Sequence, residues 1–216
     1  MRSGYNKDEV MHMLTIDEIK SEFEPNTPIF LSDLKNRNKI SSDALRKFFS
    51  RMARAGVIKR FQKGVYYIPE KTIYGESSLN PADVIKRKYL SNGKKQYGVL
   101  TGLSLLNKWG LTTQVPNVIE IVTNNETNRK RSIKVGSQSV ILRCAKTPIS
   151  ETNINIIEFL EAVSNIDFND KEQVNHLITY LKNEHFSRTV LDPVLINYPK
   201  QTYKKLVESG MINEFA

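Results

Sequence analysis

Apolar residues recur at helical spacing at both ends of the chain and alternate with polar ones in the middle. Leu14, Ile16, Ile19 and Phe23 predict an amphipathic helix. It should stop before Pro25 and Pro28, because proline disfavours a helical residue ahead of it. A short helix over 32–35 follows, with Ser32 as its cap, and a turn over 36–40 leads into a third helix. There Leu45, Phe48, Phe49, Met52 and Ala53 share one face. Ser42 stands at the N-cap position, and Gly56 stands where a left-handed residue ends a helix. Two strand-like runs, 57–61 and 65–68, flank Gln62-Lys63-Gly64 as a hairpin. Helix, short helix, turn, helix and hairpin make a winged helix-turn-helix over residues 14–69. Pro69 ends it, and TIYGESSLNP reads as a polar linker interrupted by Gly75 and Pro81.

Residues 80–216 read as a second domain. Asn80 caps a helix over 81–91, and Ser91-Asn92-Gly93 breaks it. A strand over 97–100 leads to a helix over 102–108, which buries Leu105 and Leu106, ends on Trp109 and is closed by Gly110. The runs 117–123, 132–135 and 139–144 have strand composition, the last two joined at Gly136-Ser137. Beyond Pro148 helical spacing returns, through Ile157 and Leu160, then Leu177 and Leu181, then Tyr203 and Leu206. The expected fold class is α+β: an N-terminal winged helix-turn-helix, then a mixed α/β domain with a small sheet and a C-terminal helical layer.

Charge turns this outline toward function. Residues 35–63 hold ten Lys or Arg and one acid, Asp43, a net of +9 that equals the excess of the whole 216-residue chain. The remaining 22 basic and 22 acidic residues cancel. The basicity is therefore read as local, and a one-sided cationic field suits a polyanion such as nucleic acid. With 39% apolar and 25% charged residues the chain is expected to be folded and soluble. It has no apolar run long enough to cross a bilayer and no apolar signal segment, so the cytoplasm is the expected compartment. The single cysteine, Cys144, alternates with Val140 and Leu142 and is expected in the core. His12, His176 and His185 are scattered, so no metal site and no cofactor are expected.

On the third helix, Ser42, Arg46, Lys47 and Ser50 are the expected base readers, since the N-terminal part of a recognition helix enters the major groove. Arg51, Arg54, Lys59, Arg60 and Lys63 are expected phosphate contacts, with Gln62 beside them on the wing. Tyr66 is left open as a stacking residue. No catalytic residue is assigned. Gly102-Leu103-Ser104 starts like a nucleophile elbow, yet Leu106 stands where glycine is required. Glu120 lacks the lysine two residues on that a restriction-type nuclease strand carries. The expected protein is no enzyme; a nucleic-acid-processing enzyme with a nuclease-like second domain is the alternative. Asn124 to Arg131 form a polar loop with three consecutive cations.

The segments LRKFFSRMARAGVIKRFQKGVYYIP and GVLTGLSLLNKWGLTTQVPNVIEIVT, with the hairpin ending at Cys144, resemble the AbiE-type antitoxins of bacterial type IV toxin-antitoxin systems. The second segment, with Gly102, Leu105, Gly110, Leu111, Thr112, Thr113, Gln114 and Pro116, is the more specific. The resemblance covers about residues 14–150. It implies a transcriptional repressor that binds operator repeats in double-stranded DNA, two copies on paired sites, and autoregulates its operon. It also implies antagonism of a nucleotidyltransferase-type toxin without a stable complex, with the second domain taking part.

Overall fold

Thr15 opens α1 (Ile16–Glu22) with a reciprocal cap: its hydroxyl accepts from the Glu18 amide, and the Glu18 carboxylate accepts from the Thr15 amide at 2.8 Å. The structure, a computed structural model, describes residues 14–38 and 40–215. Lys39, in the expected turn over 36–40, lies outside the described residues. The chain divides into two compact units, Met1–Asp83 and Val84–Ala216.

In the first unit β1 (Ile29–Phe30) runs directly into α2 (Leu31–Asn38), followed by α3 (Ser42–Arg54), β2 (Lys59–Gln62) and β3 (Val65–Tyr67). The strands form one antiparallel sheet in the order β1-β3-β2. Three helices and this sheet, in this order, are a winged helix. The helix α2 begins one residue earlier than expected, so Ser32 lies within it and is no cap. For α3 the cap is Ser41, whose hydroxyl accepts from the Ala44 amide at 3.2 Å, worth about 1 kcal/mol. Ser42 is the first helical residue instead.

Gly56 closes α3 as expected. It sits at φ 73°, with Val57 N–H donating to the Met52 carbonyl and Gly56 N–H to that of Ala53. These are the paired bonds of a Schellman motif. Leu45 and Phe49 point inward at 1% and 0% exposure, and burial of each contributes roughly 1.5–3 kcal/mol. Where a linker was expected, β4 (Lys71–Thr72) and β5 (Gly75–Glu76) form a small hairpin, its turn residues Ile73 and Tyr74 almost fully exposed.

The division between units falls inside α4 (Pro81–Ile85), which continues as a π-helical turn, Lys86–Leu90. Then come β6 (Gly98–Leu100), α5 (Gly102–Lys108), β7 (Val118–Thr123), β8 (Arg131–Val135) and β9 (Gln138–Cys144). Their sheet has the order β6-β7-β9-β8, with β7 and β9 parallel and the other pairs antiparallel. The helices α6 (Ile154–Asn165), α7 (Lys171–Glu184), α8 (Arg188–Leu195) and α9 (Lys200–Glu208) supply most of this unit's core, centred on Phe159, Leu160, Leu177, Leu191 and Leu206. The fold is α+β, as expected. No helix among the described residues is long and apolar enough to cross a membrane.

Candidate nucleic-acid interface

The exposed surface of α3 divides into two arcs because side chains four apart share a face. Ser42, Arg46 and Ser50 form one arc and turn toward the wing. Lys47, Arg51 and Arg54 form the outer arc and are exposed. Between the first arc, the start of α2 and the hairpin β2–β3 lies a groove of about 520 Å³. Four cations line it: Lys35 from α2, Arg46 from α3, Arg60 from β2 and Lys63 from the hairpin turn. Ser32, Ser42 and Ser50 add hydroxyls, and among the described residues no carboxylate lines the groove.

Ser42 is available there because Ser41 has taken over the cap. Arg60 faces the groove because it pairs across the sheet with Tyr66, whose ring lies 5.0 Å from that of Phe49. That pairing puts both on the α3 side of the sheet. Asp43, the stretch's one acid, reaches Arg46 from the adjoining turn, Oδ1 to Nη1 3.1 Å. Both side chains are well exposed, so this pair holds Arg46 only weakly.

Two expected contacts change character. Lys59 points to the opposite face of the sheet from Arg60 and pairs with Glu76 of β5 at 2.8 Å. The Glu76 hydrogen bond raises the Lys59 ammonium's pKa, and Lys59 in turn lowers that of the Glu76 carboxyl. Lys59 thus anchors the unexpected hairpin and is already engaged. Tyr66 is only 6% exposed and belongs to the core, so it walls the groove and offers no free ring face for stacking. Gln62 is half-buried at the end of β2, where the pairing register shifts between Arg60 and Gln62. Lys35 and Ser32 are groove residues that sequence reasoning missed. Lys35 stands four residues after Leu31 on α2, a spacing that became useful only once the helix was seen to start at Leu31.

In the second unit the residues around Gly102-Leu103-Ser104 meet one another. Thr101 donates its hydroxyl to Glu161, a carboxylate 6% exposed, which also accepts from Tyr198 at 2.9 Å. Burial, with Glu161 beside it, pushes the Tyr198 hydroxyl far above the ordinary tyrosine range. Gly102 has φ 57°, and a Cβ there would sit 2.7 Å from Glu120 Oε1. Glu120 itself pairs with Arg143 across β7 and β9 at 2.8 Å. Ser104 bridges to β7 by donating to the Val118 carbonyl and accepting from the Glu120 amide.

Trp109 packs on Tyr180, ring centroids 4.6 Å apart, partly buried against the core. Cys144, expected inside, is exposed. It follows the parity of Val140 and Leu142 but is the last residue of β9, where among the described residues nothing covers it. Among the described residues no group of three or more His, Cys, Asp or Glu is placed to hold a metal ion.

In the loop before β8, Glu126 is 4% exposed and accepts from the Thr127 and Asn128 amides and from Arg131 Nε at 2.6 Å. Burial pushes its carboxyl up, but the Asn128 amide, the Arg131 guanidinium and the Thr127 amide outweigh it and hold the carboxyl below its usual range. Of the loop's three cations, Arg131 is therefore committed, while Arg129 and Lys130 are exposed.

A search of curated proteins found no match. A family model matches residues 16–189, most of both units, and by that match the chain belongs to DUF6088, a family of unknown function.

Proposed function

We propose that the protein binds double-stranded DNA through α3 and the wing and acts as a transcriptional repressor. The observation that carries this reading is the groove lined by Lys35, Arg46, Arg60 and Lys63 and, among the described residues, by no carboxylate. Its charge and its hydroxyls suit a phosphate strand running between recognition helix and wing. With the strand there, the outer arc of Lys47, Arg51 and Arg54 faces the major groove, where Arg51 can bind guanine O6 and N7. Arg46 and Arg51 thereby exchange the roles expected from sequence: Arg46 holds the backbone and Arg51 reads bases.

The finer reading rests on the resemblance of the winged helix and of residues 98–123 to AbiE-type antitoxins. In it, two copies occupy operator repeats upstream of the protein's own operon, and the protein opposes a nucleotidyltransferase-type toxin encoded there.

Titration by fluorescence anisotropy against a duplex from upstream of the protein's own reading frame, and against a scrambled duplex, tests the DNA reading. Arg46→Ala with Arg60→Ala should weaken binding to both duplexes roughly tenfold or more and flatten the salt dependence by about two. Lys47→Ala with Arg51→Ala should instead collapse the preference for the upstream duplex. Unchanged affinity and salt slope in the first pair would sink the proposal. Restored growth on co-expression with an adjacent nucleotidyltransferase-type toxin tests the antitoxin role.

A further inference from the structure

The balanced charge outside residues 35–63 conceals a second concentration. Residues 84–97 and 124–134 together hold nine Lys or Arg and one acid, Glu126, so the acids that offset them lie elsewhere in the sequence. The fold brings the two segments together within the second unit. Asn125 donates its side-chain amide to the Lys88 carbonyl at 2.8 Å, and Asn124 N–H and Thr123 Oγ1 both donate to the Tyr97 carbonyl. The Tyr97 hydroxyl in turn donates to the Arg87 carbonyl. The π-helical turn, the turn after it and the β7–β8 loop are thus tied together.

Lys86, Lys88, Lys94, Lys95, Arg129 and Lys130 are exposed along these segments, Lys86 and Lys88 on different flanks of the helical turn, and among the described residues none of the six pairs with a carboxylate. Within the two segments the one acid, Glu126, is buried against Arg131, and the exposed carboxylate of Asp83 stands just before them on α4.

The rest of the surface says what kind of ligand suits it. The large exposed apolar residues, Ile73, Tyr74, Leu103, Val115, Ile196, Tyr203 and Val207, all lie outside both segments. A protein partner is met by an interface with an apolar or aromatic centre, which is lacking here. Single strands are held by aromatic platforms, yet Tyr89 is buried and Tyr97 half-buried with its hydroxyl engaged. Exposed cations alone, on a surface fixed by backbone hydrogen bonds, match a row of phosphates. We infer that this surface of the second unit binds the phosphate backbone of a nucleic-acid duplex, independently of α3 and the wing.

The test uses the full chain with Lys86, Lys88, Lys94 and Lys95 all changed to Gln, its folding checked by circular dichroism and thermal melting. Anisotropy is read against a random-sequence DNA duplex and an RNA duplex of the same sequence, over a series of salt concentrations. The expected result is weaker binding, roughly tenfold or more at moderate salt, with a salt slope shallower by about three to four for the duplex this surface takes. Whichever duplex responds identifies the source of the phosphates.

Unchanged affinity and slope for both duplexes overturn the inference. Loss of a co-purifying protein with both duplex affinities intact overturns it as well, by giving the surface to a protein partner. Failure of the α3 reading looks different: Arg46→Ala with Arg60→Ala then changes nothing while the four-glutamine variant still loses binding.

Discussion

The surface of α3 with its wing and the segment 98–123 use polar residues in opposite ways. On α3, Ser42, Lys47, Ser50, Arg51 and Arg54 point outward, and Arg46 has only an exposed carboxylate beside it. In 98–123, Thr101, Ser104, Asn107 and Glu120 all have partners inside the unit. The second segment carries the more specific sequence resemblance, yet its polar residues hold the fold together. The difference teaches that a recognisable motif can mark an architecture, while the chemistry open to a partner lies where side chains are left without internal work.

If that contrast is right, substitutions in the two regions should separate stability from binding. The largest effect is expected at Gly98, where a Cβ would lie 1.9 Å from the Tyr89 carbonyl oxygen and 3.0 Å from its carbon, both backbone atoms. Gly98→Ala should destabilise the second unit by more than about 4 kcal/mol, visible as loss of its thermal transition. Next comes Tyr198→Phe, which leaves buried Glu161 short of one donor and should cost about 1–3 kcal/mol, measured by urea denaturation with DNA affinity unchanged. Lost affinity without lost stability would break the contrast.

Smaller still is the acid dependence of Glu126. Its carboxyl is depressed in the folded protein, so its contribution is in place above the unfolded-state value of about 4.3 and is lost as pH falls through the folded value. Glu126→Gln should lower the melting temperature at neutral pH by about 2–4 °C, and the gap to the unaltered protein should narrow as the pH drops below about 4. The smallest effect is Asp43→Asn, which frees Arg46 and removes a negative charge from the exposed side of α3 beside the groove. DNA affinity should rise about two- to threefold, with the melting temperature little changed. A fall in affinity would make Asp43 a base contact instead.

The elements legible in the sequence were those with a strong period or a hard stop. The apolar face of α3, its end at Gly56, the helix α5 and the hairpin β8–β9 at Gly136-Ser137 all stand where periodicity and turn residues put them. What was not legible depended on partners far away in the chain. The strand β1 has two residues and exists because Ile29 and Phe30 pair with Tyr66 and Val65. The hairpin β4–β5 looked like a linker because its anchors, Lys59 to Glu76 and Asn26 to Glu70, reach outside its own sequence.

Ser41 and Ser42 are both good caps, and no local signal chooses between them. At the candidate site the cations were legible as a cluster. Their sorting into groove and outer arc required knowing that Arg60 and Lys59 lie on opposite faces of the sheet.

The caps of α3 also limit how much information one copy of the protein can carry. Ser41 and Gly56 confine the helix to 13 residues, roughly 20 Å at about 1.5 Å per residue. Under the proposed function such a rod lies against about six base pairs at most, given about 3.4 Å for each. A six-letter word recurs by chance about once per four thousand positions, whereas a genome offers about a million or more competing sites. A regulator built on this helix can single out one promoter only by reading twice, so the spacing between two such words becomes part of its address.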